Sequence, residues 1–335
     1  RAQAPIIRKR PSASLIKRCF LMSTQSPMYS VLVSGASGQV GQSLRHVLDT
    51  EETPLFSKNS WVFLDRSSLD LSQTDNLSSV IEGLLDKHAP KAFVHAAAFT
   101  AVDAAETQKE AAFTINETAT RILAAACAKR NILFVYLSTD FVFAGKSTDQ
   151  KPFLPSDPIH PIGVYAQSKA AGEKAVQLHG GPHYIVRTSW VFSPFGNNFV
   201  KTMLRLAKER LQFSSEPNQQ TSARVKPTIS VVSDQFGCPT SALDLARALL
   251  ALLTVQSLPY GILHFSNAGP VHWAQLAGAV FEQSNLPITV KPISSEDFAA
   301  AAPRPAYSVL ENTLDPKARH WKEALAEVLS ILKTA

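Results

Sequence analysis

The chain has 335 residues, of which 45% are hydrophobic and 18% charged, and it contains 21 Pro and 14 Gly. This composition is typical of a globular protein with a substantial core and excludes disordered, collagenous and coiled-coil proteins. The formal net charge of +6 arises in the first 28 residues, which hold no acid and six cations: Arg1, Arg8, Lys9, Arg10, Lys17 and Arg18. The rest of the chain is neutral, with 27 Lys and Arg against 27 Asp and Glu, so a nucleic-acid partner is not expected.

The basic residues 1–28 are expected to be a disordered leader. Their composition is compatible with organelle targeting and equally with an upstream extension. Three cysteines without CxxC spacing indicate neither a disulfide framework nor a zinc site, which favours a reducing, cytoplasmic location. The richest apolar run, residues 248–255, is about half the length that spans a bilayer, so no membrane partner is expected.

From residue 29 onward, short β-prone runs alternate with segments of helical spacing. The predicted strands cover residues 29–34, 61–64, 92–96, 132–137 and 184–187, and the predicted helices cover 42–48, 77–87, 107–130, 164–178 and 199–209. This alternation predicts an α/β fold with a doubly wound parallel sheet. Two aperiodic segments interrupt it: a proline-rich extended loop at 145–161 and a polar loop at 212–227, which is expected to be mobile.

A glycine-rich turn joins the first strand to the first helix. Gly35, Gly38 and Gly41 are spaced by three residues, which suits close backbone approach to a pyrophosphate at a helix N-terminus. Asp65 ends the second strand, where it is placed to accept a hydrogen bond from an adenosine ribose. The neighbouring Arg66 could instead meet a 2′-phosphate, so NADH and NADPH both stay open as cofactors.

Tyr165 and Lys169 lie four residues apart on a predicted helix and therefore share one face. A nearby ammonium is expected to lower the pKa of the phenol by stabilising phenolate. The fourth strand ends in Ser138, Thr139 and Asp140, at the sheet edge where α/β proteins bind ligands. A hydroxyl there can donate to a carbonyl oxygen that becomes an alkoxide. Together these groups predict a hydride-transfer site, whereas His95, in an apolar strand, is expected to be a core histidine.

Eight motifs point to a family. They are GASGQVG (35–41), HAAAFTAVDAAE (95–106), LSTDFVF (137–143), YAQSKAAGE (165–173), RTSWVF (187–192), GNNFVKTMLRLAKER (196–210), DQFGCPT (234–240) and RPAYSVL (304–310). With them, residues 29–332 resemble the extended short-chain dehydrogenase/reductases and, within these, the dTDP-4-dehydrorhamnose reductases. The resemblance implies a Rossmann dinucleotide-binding domain over residues 29–188 and a smaller, mainly substrate-binding part over 189–335, some segments of which return to the Rossmann sheet.

The resemblance also implies a reaction and its residues. Hydride from NADPH or NADH would reduce the C4 ketone of dTDP-4-dehydro-L-rhamnose to give dTDP-L-rhamnose, a nucleotide sugar, in the last step of its biosynthesis. Tyr165 would donate the proton, with Lys169 and Thr139 assisting. Cofactor contacts are expected at Gly35, Gly38, Gln39, Val40, Gly41, Asp65, Asp70, Leu71, Ala98, Phe99, Thr100, Tyr165 and Lys169. Substrate contacts are expected at Val102, Thr139, Asp140 and Trp190, with Arg304 placed to meet the diphosphate.

Departures from the family pattern bear on the metal and on rival functions. Some members hold a metal at a dimer interface through an acid that Ser43 replaces here, which argues against bound Mg²⁺ and leaves a homodimer open. One rival is a nucleotide-sugar epimerase or dehydratase that retains its NAD. The other is a non-catalytic regulatory subunit like the β subunit of methionine adenosyltransferase, which shares the fold and a Tyr/Lys pair. Trp190 and residues 100–106 favour the reductase over the regulatory subunit.

Overall fold

The structure is a computed structural model that describes residues 30–51, 60–143, 151–213, 226–254, 258–315 and 317–334. The predicted leader, residues 1–28, lies outside this part of the chain. Of the predicted mobile loop at 212–227, residues 214–225 also lie outside it, while residues 212–213 belong to a helix.

The first half of the chain alternates strands and helices as the sequence predicts. Its elements are β1 (Val31–Ser34), α1 (Gln39–Thr50), β2 (Trp61–Leu64), α2 (Thr74–His88), β3 (Ala92–His95), α3 (Val102–Thr107), α4 (Lys109–Phe113), α5 (Thr120–Lys129), β4 (Leu133–Thr139), α6 (Gly163–Leu178) and β5 (His183–Thr188). The predicted single helix over residues 107–130 is divided, because Gln108 leaves helical geometry and a π-helical turn covers Thr114–Ala119.

In the second half of the chain, four of the seven strands that the structure describes have only two residues. Its elements are β6 (Val191–Phe192), α7 (Phe199–Phe213), β7 (Thr228–Val232), β8 (Phe236–Gly237), β9 (Thr240–Ser241), α8 (Ala242–Thr254), β10 (Gly261–His264), β11 (Val271–His272), α9 (Trp273–Gln283), β12 (Thr289–Ile293), α10 (Ser295–Phe298) and α11 (Trp321–Thr334). Among the helices of the described segments, none is long and apolar enough to cross a membrane.

Six strands form the central sheet in the order β10-β5-β4-β3-β1-β2, and all neighbouring pairs are parallel. Strand β10 comes from the second half of the chain and adds to the edge beside β5. Three two-stranded sheets, β7 with β12, β8 with β11 and β6 with β9, lie outside it. The predicted doubly wound parallel sheet is thus confirmed.

Apolar residues on both faces of the sheet explain its burial between two helical layers. Val31 and Val33 of β1 belong to one buried cluster, which α1, α8, α9 and α11 cover. Leu32 belongs to the opposite cluster, which α2 and α5 cover. Continuous apolar strands of this kind are typical of parallel sheets with helices on both sides. The carboxyl ends of β1, β3 and β4 therefore meet at one edge, where the predicted site residues lie.

Candidate active site

The glycine turn after β1 has a shape that side chains would destroy. Gly35 has a φ of +78°, and a Cβ added there would lie 2.8 Å from the backbone nitrogen of Ala97. A Cβ at Gly41 would lie 2.3 Å from the carbonyl oxygen of Gly35, so this glycine lets α1 pack onto the turn. None of the described side chains caps α1 at Gly38, and its first turn carries no acid. Its free N–H groups and helix dipole fit a pyrophosphate.

Gln39 links this turn to the second half of the chain. Its Nε2 donates to the carbonyl oxygen of Val191 at 3.4 Å, and its Oε1 accepts from the Ser193 hydroxyl at 3.0 Å. The next residue, Val40, packs against the first hydrophobic cluster. The cofactor turn is therefore tied to the RTSWVF segment that also carries Trp190.

The two acids expected at the cofactor both follow β2. Asp65 Oδ1 accepts from the hydroxyls of Ser67 and Ser68, at 2.6 and 2.9 Å, and from the backbone of Ser68 at 3.0 Å. These bonds, led by Ser67, hold the Asp65 pKa below its ordinary value. Asp70 accepts from the hydroxyl and backbone of Ser72 and lies 3.5 Å from the Nε of Arg66. Both carboxylates are thus ionised acceptors beside the sheet edge.

The segment after β3, which includes Ala98, Phe99 and Thr100, is held by Asn116. The Asn116 side chain accepts from the backbone of Phe99 at 2.8 Å and donates to its carbonyl oxygen at 3.1 Å. Asn116 also donates to the Ser168 hydroxyl of α6 at 2.9 Å. Sequence reasoning missed this residue, although an Asn in an otherwise helical run is a recognisable signal. It joins the expected cofactor segment to the helix that carries Tyr165.

Thr139, Tyr165 and Lys169 come together as the sequence predicts. Thr139 ends β4, and its hydroxyl is close enough to the Tyr165 side chain to lower the pKa of the phenol. The ring of Phe141 packs edge-on against Tyr165 with the centroids 5.9 Å apart. Lys169, one turn later on α6, donates its Nζ proton to the carbonyl oxygen of Leu137 at 2.7 Å. A strand end and one face of a helix thus bring a phenol, a hydroxyl and an amine into one site.

The electrostatics of this trio differ from the prediction. Burial raises the pKa of Tyr165 to about 12; the Thr139 hydrogen bond opposes this rise and the charge of Asp140 adds to it. The predicted lowering of the phenol pKa by Lys169 is therefore wrong for this structure, because burial dominates and the amine is bonded to Leu137. Burial also lowers the pKa of Lys169 to about 7, against the opposing charge of Glu173.

Asp140, expected to contact the substrate, lies inside the protein and is 2% exposed. Its Oδ2 accepts from the Ser308 hydroxyl at 2.5 Å, and its Oδ1 accepts from the Thr139 hydroxyl at 3.2 Å. Burial raises the pKa of Asp140 to about 7, although these two donors favour the ionised form. Sequence reasoning missed Ser308, which comes from the RPAYSVL motif 168 positions away. Asp140 thus accepts a hydrogen bond from Thr139 on the interior side of the site.

A buried ion pair lies beneath the trio. Arg187 and Glu173 are about 2% exposed, and the guanidinium donates through Nε and Nη2 to the two carboxylate oxygens at 2.9 and 2.7 Å. The Ser138 hydroxyl donates to the same carboxylate at 2.5 Å. Arg187 also contacts His264 of β10, with 3.4 Å between Nη1 and Nε2. The pair ties the end of β4 to α6, β5 and β10, and the sequence analysis did not identify it.

Trp190 is held by an aromatic partner that the sequence analysis also missed. Its ring stacks on Trp273 with centroids 3.6 Å apart and planes 7° apart, and both rings are half-buried. Trp190 has a φ of +46°, a strained value for a bulky residue. Gly237 makes the arrangement possible, since a Cβ there would lie 2.6 Å from the Trp190 ring. The Trp273 Nε1 donates to Gln235 at 3.2 Å, which orients the stack.

Arg304 is already paired. Its Nη1 and Nη2 donate to the two carboxylate oxygens of Asp103 at 3.1 and 2.7 Å, and its side chain is 19% exposed. Asp103 follows Val102, the first residue of α3 and an expected substrate contact. The pair therefore places Arg304 beside the segment that follows β3.

His95 is a core histidine, as predicted. It is buried, with Nδ1 2.7 Å from the Ser34 hydroxyl and Nε2 3.2 Å from the Thr120 hydroxyl. Burial lowers its pKa to about 3. At the expected position of a metal ligand, Ser43 is buried within α1. Across the residues that the structure describes, no group of three or more His, Cys, Asp or Glu is arranged to hold a metal.

Comparison with known proteins agrees with this site. Residues 28–334 match the family described as the RmlD substrate binding domain. The chain belongs to this family. It is 34% identical over 317 residues to a dTDP-4-dehydrorhamnose reductase of Aggregatibacter actinomycetemcomitans, covering 90% of this chain and 98% of the relative. A dTDP-4-keto-6-deoxy-D-glucose reductase of Streptomyces niveus is 35% identical, covering 90% and 96%.

A solved structure extends the comparison to the fold. The dTDP-4-dehydrorhamnose reductase of Bacillus anthracis in complex with NADP superposes with a TM-score of 0.77 at 33% identity, covering 90% of this chain and 99% of that one. The family resemblance inferred from the eight motifs is therefore confirmed, as is the fold class.

Proposed function

We propose that this chain is a dTDP-4-dehydrorhamnose reductase, which reduces the C4 ketone of dTDP-4-dehydro-L-rhamnose with NADPH or NADH. The observation that carries the proposal is the placement of Thr139, Tyr165 and Lys169 at the carboxyl end of β4, in a family whose relatives carry this name. Neither rival function gains support, because these relatives are named reductases and match over almost their whole length.

The cofactor supplies the hydride in this reaction, and the chain supplies its position. The glycine turn and the N-terminal amides of α1 bind the pyrophosphate. Asp65 accepts from a ribose hydroxyl, since Ser67 and Ser68 bond to its Oδ1 and hold the carboxylate ionised. Lys169, whose pKa is near 7, would donate to the nicotinamide ribose. These residues together would hold the cofactor, which would supply the hydride to the ketone.

Tyr165 supplies the proton to the C4 oxygen. The phenol is protonated at neutral pH and is available as a donor, although burial, which raises its pKa to about 12, makes it a weaker acid. The Thr139 hydroxyl, which donates to Asp140 Oδ1 before the transfer, then turns to donate to the phenolate that forms. An ionised Asp140 opposes the transfer by charge repulsion. The geometry thus suits proton donation more than proton abstraction.

The test is loss of reduced-nicotinamide absorbance when purified protein is mixed with NADPH or NADH and dTDP-4-dehydro-L-rhamnose. We expect turnover that needs the sugar and falls roughly 10²- to 10⁴-fold in Tyr165→Phe, with cofactor affinity retained. Tyr260→Phe is the matched control, since Tyr260 is 61% exposed and its ring packs against Tyr184 at the amino end of β5, away from the site. Wild-type turnover in Tyr165→Phe would contradict the assigned proton donor.

A second arm of the test concerns the sugar. The Streptomyces relative is named for dTDP-4-keto-6-deoxy-D-glucose, so this compound is assayed beside the rhamnose precursor. We expect a higher kcat/KM for dTDP-4-dehydro-L-rhamnose. A preference for the glucose-configured ketone would keep the chemistry and change the substrate, whereas no consumption of either with bound cofactor would reject the reductase.

A further inference from the structure

The short helix α3 reaches across to the start of α6. Glu106, on the last turn of α3, accepts from the backbone N–H of Val164 through Oε1 at 2.8 Å. The two residues are 58 positions apart. At the start of α6, Ile162 precedes the helix and its side chain makes no capping hydrogen bond. The carboxylate of Glu106 thus serves as an N-terminal cap from another helix, where it also complements the helix dipole.

Gly163 makes room for this contact. It has a φ of +75°, a left-handed conformation that favours glycine. A Cβ at this position would lie 2.9 Å from Oε1 of Glu106 and 3.2 Å from the ring of Pro303. The absence of a side chain therefore lets both the carboxylate and the proline pack directly on the helix start.

Tyr165 is the residue that directly follows the capped amide. Its carbonyl oxygen accepts from the Ser168 hydroxyl at 2.8 Å, and Ser168 accepts in turn from Asn116. Its backbone is therefore fixed on one side through Glu106 and on the other through Ser168. The Tyr165 pKa responds to burial, Thr139 and Asp140, so the contribution of Glu106 is to position.

We propose that Glu106 is a positioning residue for the reduction: as the cap of α6, it holds the Tyr165 hydroxyl against Thr139 at the ketone. The proposal rests on the proposed reductase function. What matters is the reach of the Glu106 oxygen and not its charge, because an amide oxygen at the same place accepts the same hydrogen bond. Two substitutions separate these properties: Glu106→Gln keeps the reach and removes the charge, and Glu106→Asp keeps the charge and shortens the reach.

The experiment measures kcat, both KM values and backbone hydrogen exchange at Val164 in the full-length variants. We expect Glu106→Asp to lower kcat roughly ten- to hundredfold, because a small displacement of the donor is costly, while the cofactor KM changes by less than about twofold. We expect Glu106→Gln to stay within about threefold of wild type. Exchange at the Val164 amide accelerates in the Asp variant only. Glu110→Ala, an exposed acid on the neighbouring helix α4, is the matched control and leaves every value unchanged.

Several outcomes would overturn the proposal. They are wild-type kcat in Glu106→Asp, equal loss in the Asp and Gln variants, and unchanged Val164 exchange in the Asp variant. Should the wild-type protein turn over no sugar, the reductase function fails, but the exchange experiment still decides whether Glu106 caps α6. A variant that loses kcat only in proportion to a lower folded fraction, measured by its thermal transition, would also contradict a positioning role.

Discussion

Asp103 of α3 and Arg304, the first residue of the RPAYSVL motif, lie 201 positions apart in the chain and form a bidentate ion pair. Later in the motif, Tyr307 and Leu310 form isolated β-bridges with Phe236 and Phe153. The Asp103 carboxylate also accepts from the backbone of Ala302 at 3.0 Å. The guanidinium holds the pKa of Asp103 below its ordinary value. A single carboxylate thus fixes the backbone at Ala302 and the side chain of Arg304, the residue that we expect to meet the substrate diphosphate.

The first prediction concerns Arg304. Replacing it with Ala should raise the KM for the nucleotide sugar roughly tenfold or more. This is because the loss of a charged hydrogen bond to the diphosphate weakens binding by about 1.5 kcal/mol or more. Stability should change by less than about 1 kcal/mol, because Asp103 is 51% exposed and surface pairs contribute little. Steady-state kinetics and urea unfolding measure the two effects. Arg205→Ala, which breaks an exposed pair with Glu209, is the control, and an unchanged sugar KM in Arg304→Ala would reject the contact.

The second prediction concerns pH. The raised pKa of Asp140, about 7, leaves the carboxyl protonated below that pH and ionised above it. Its negative charge raises the Tyr165 pKa and weakens the proton donor, so kcat should fall as the pH rises through about 7. Asp140→Asn stays neutral and should remove this decline. Ser308→Ala removes a donor that favours the ionised form and should move the decline to higher pH.

A rate–pH profile from pH 5.5 to 9 tests this assignment. Lys169 also has a pKa near 7, so it is the competing source of the decline. A decline that persists unchanged in Asp140→Asn would assign it to Lys169. The two groups are otherwise separable, because only Asp140 contacts Ser308.

Local sequence patterns predict the fold and those parts of the site that lie within a single strand, turn or helix. The strand before GASGQVG, the glycine spacing and the Tyr/Lys spacing all lie within short stretches whose geometry follows from strand and helix periods. The break at Gln108 was not predicted, because the apolar residues of 107–130 keep helical spacing, although Asn116 and its neighbouring threonines have low helix propensity. Asn116 bonds to Phe99 and Ser168, and these tertiary contacts favour the π-helical turn over a regular helix.

The rest of the site depends on partners that are distant in sequence. Ser308 donates to Asp140, from which it is 168 positions apart. Trp190 and Trp273 stack although they lie next to strands of two different sheets. No spacing rule identifies such pairs. The pKa of Tyr165 was mispredicted for a related reason: helical spacing places Lys169 on the same face, but burial of the phenol is set by the packed protein around it.

The third prediction concerns the stacked indoles. Trp273→Leu should leave Trp190 unsupported in its strained backbone conformation and raise the KM for the nucleotide sugar several-fold, while the cofactor KM stays unchanged. Loss of the stacked pair should lower the free energy of unfolding by about 0.5–1.5 kcal/mol more than the loss of buried apolar area alone. Near-UV circular dichroism reports the stack directly, since the close, parallel indoles couple. Trp321→Phe, a core change in α11, is the control, and an unchanged spectrum in Trp273→Leu would show that the two rings do not stack in solution.

The fourth prediction concerns the buried ion pair beneath the catalytic trio. Arg187→Met should destabilise the protein by about 3–5 kcal/mol, because it leaves the Glu173 carboxylate buried without its cation. Adding Glu173→Leu should recover most of that loss, since two apolar side chains of similar volume replace two charges. Equilibrium urea unfolding of the single and double variants measures both steps.

The double variant also separates stability from function. The Ser138 hydroxyl loses its acceptor when Glu173 is replaced, and Lys169 loses the nearby negative charge that favours its protonated form. We therefore expect the double variant to be stable but slower than wild type. Arg187→Met alone could instead lower the free energy of unfolding by less than about 1 kcal/mol, as expected for the exposed Arg205–Glu209 pair. That result would mean that water reaches Glu173 and that the buried pair does not hold the site together.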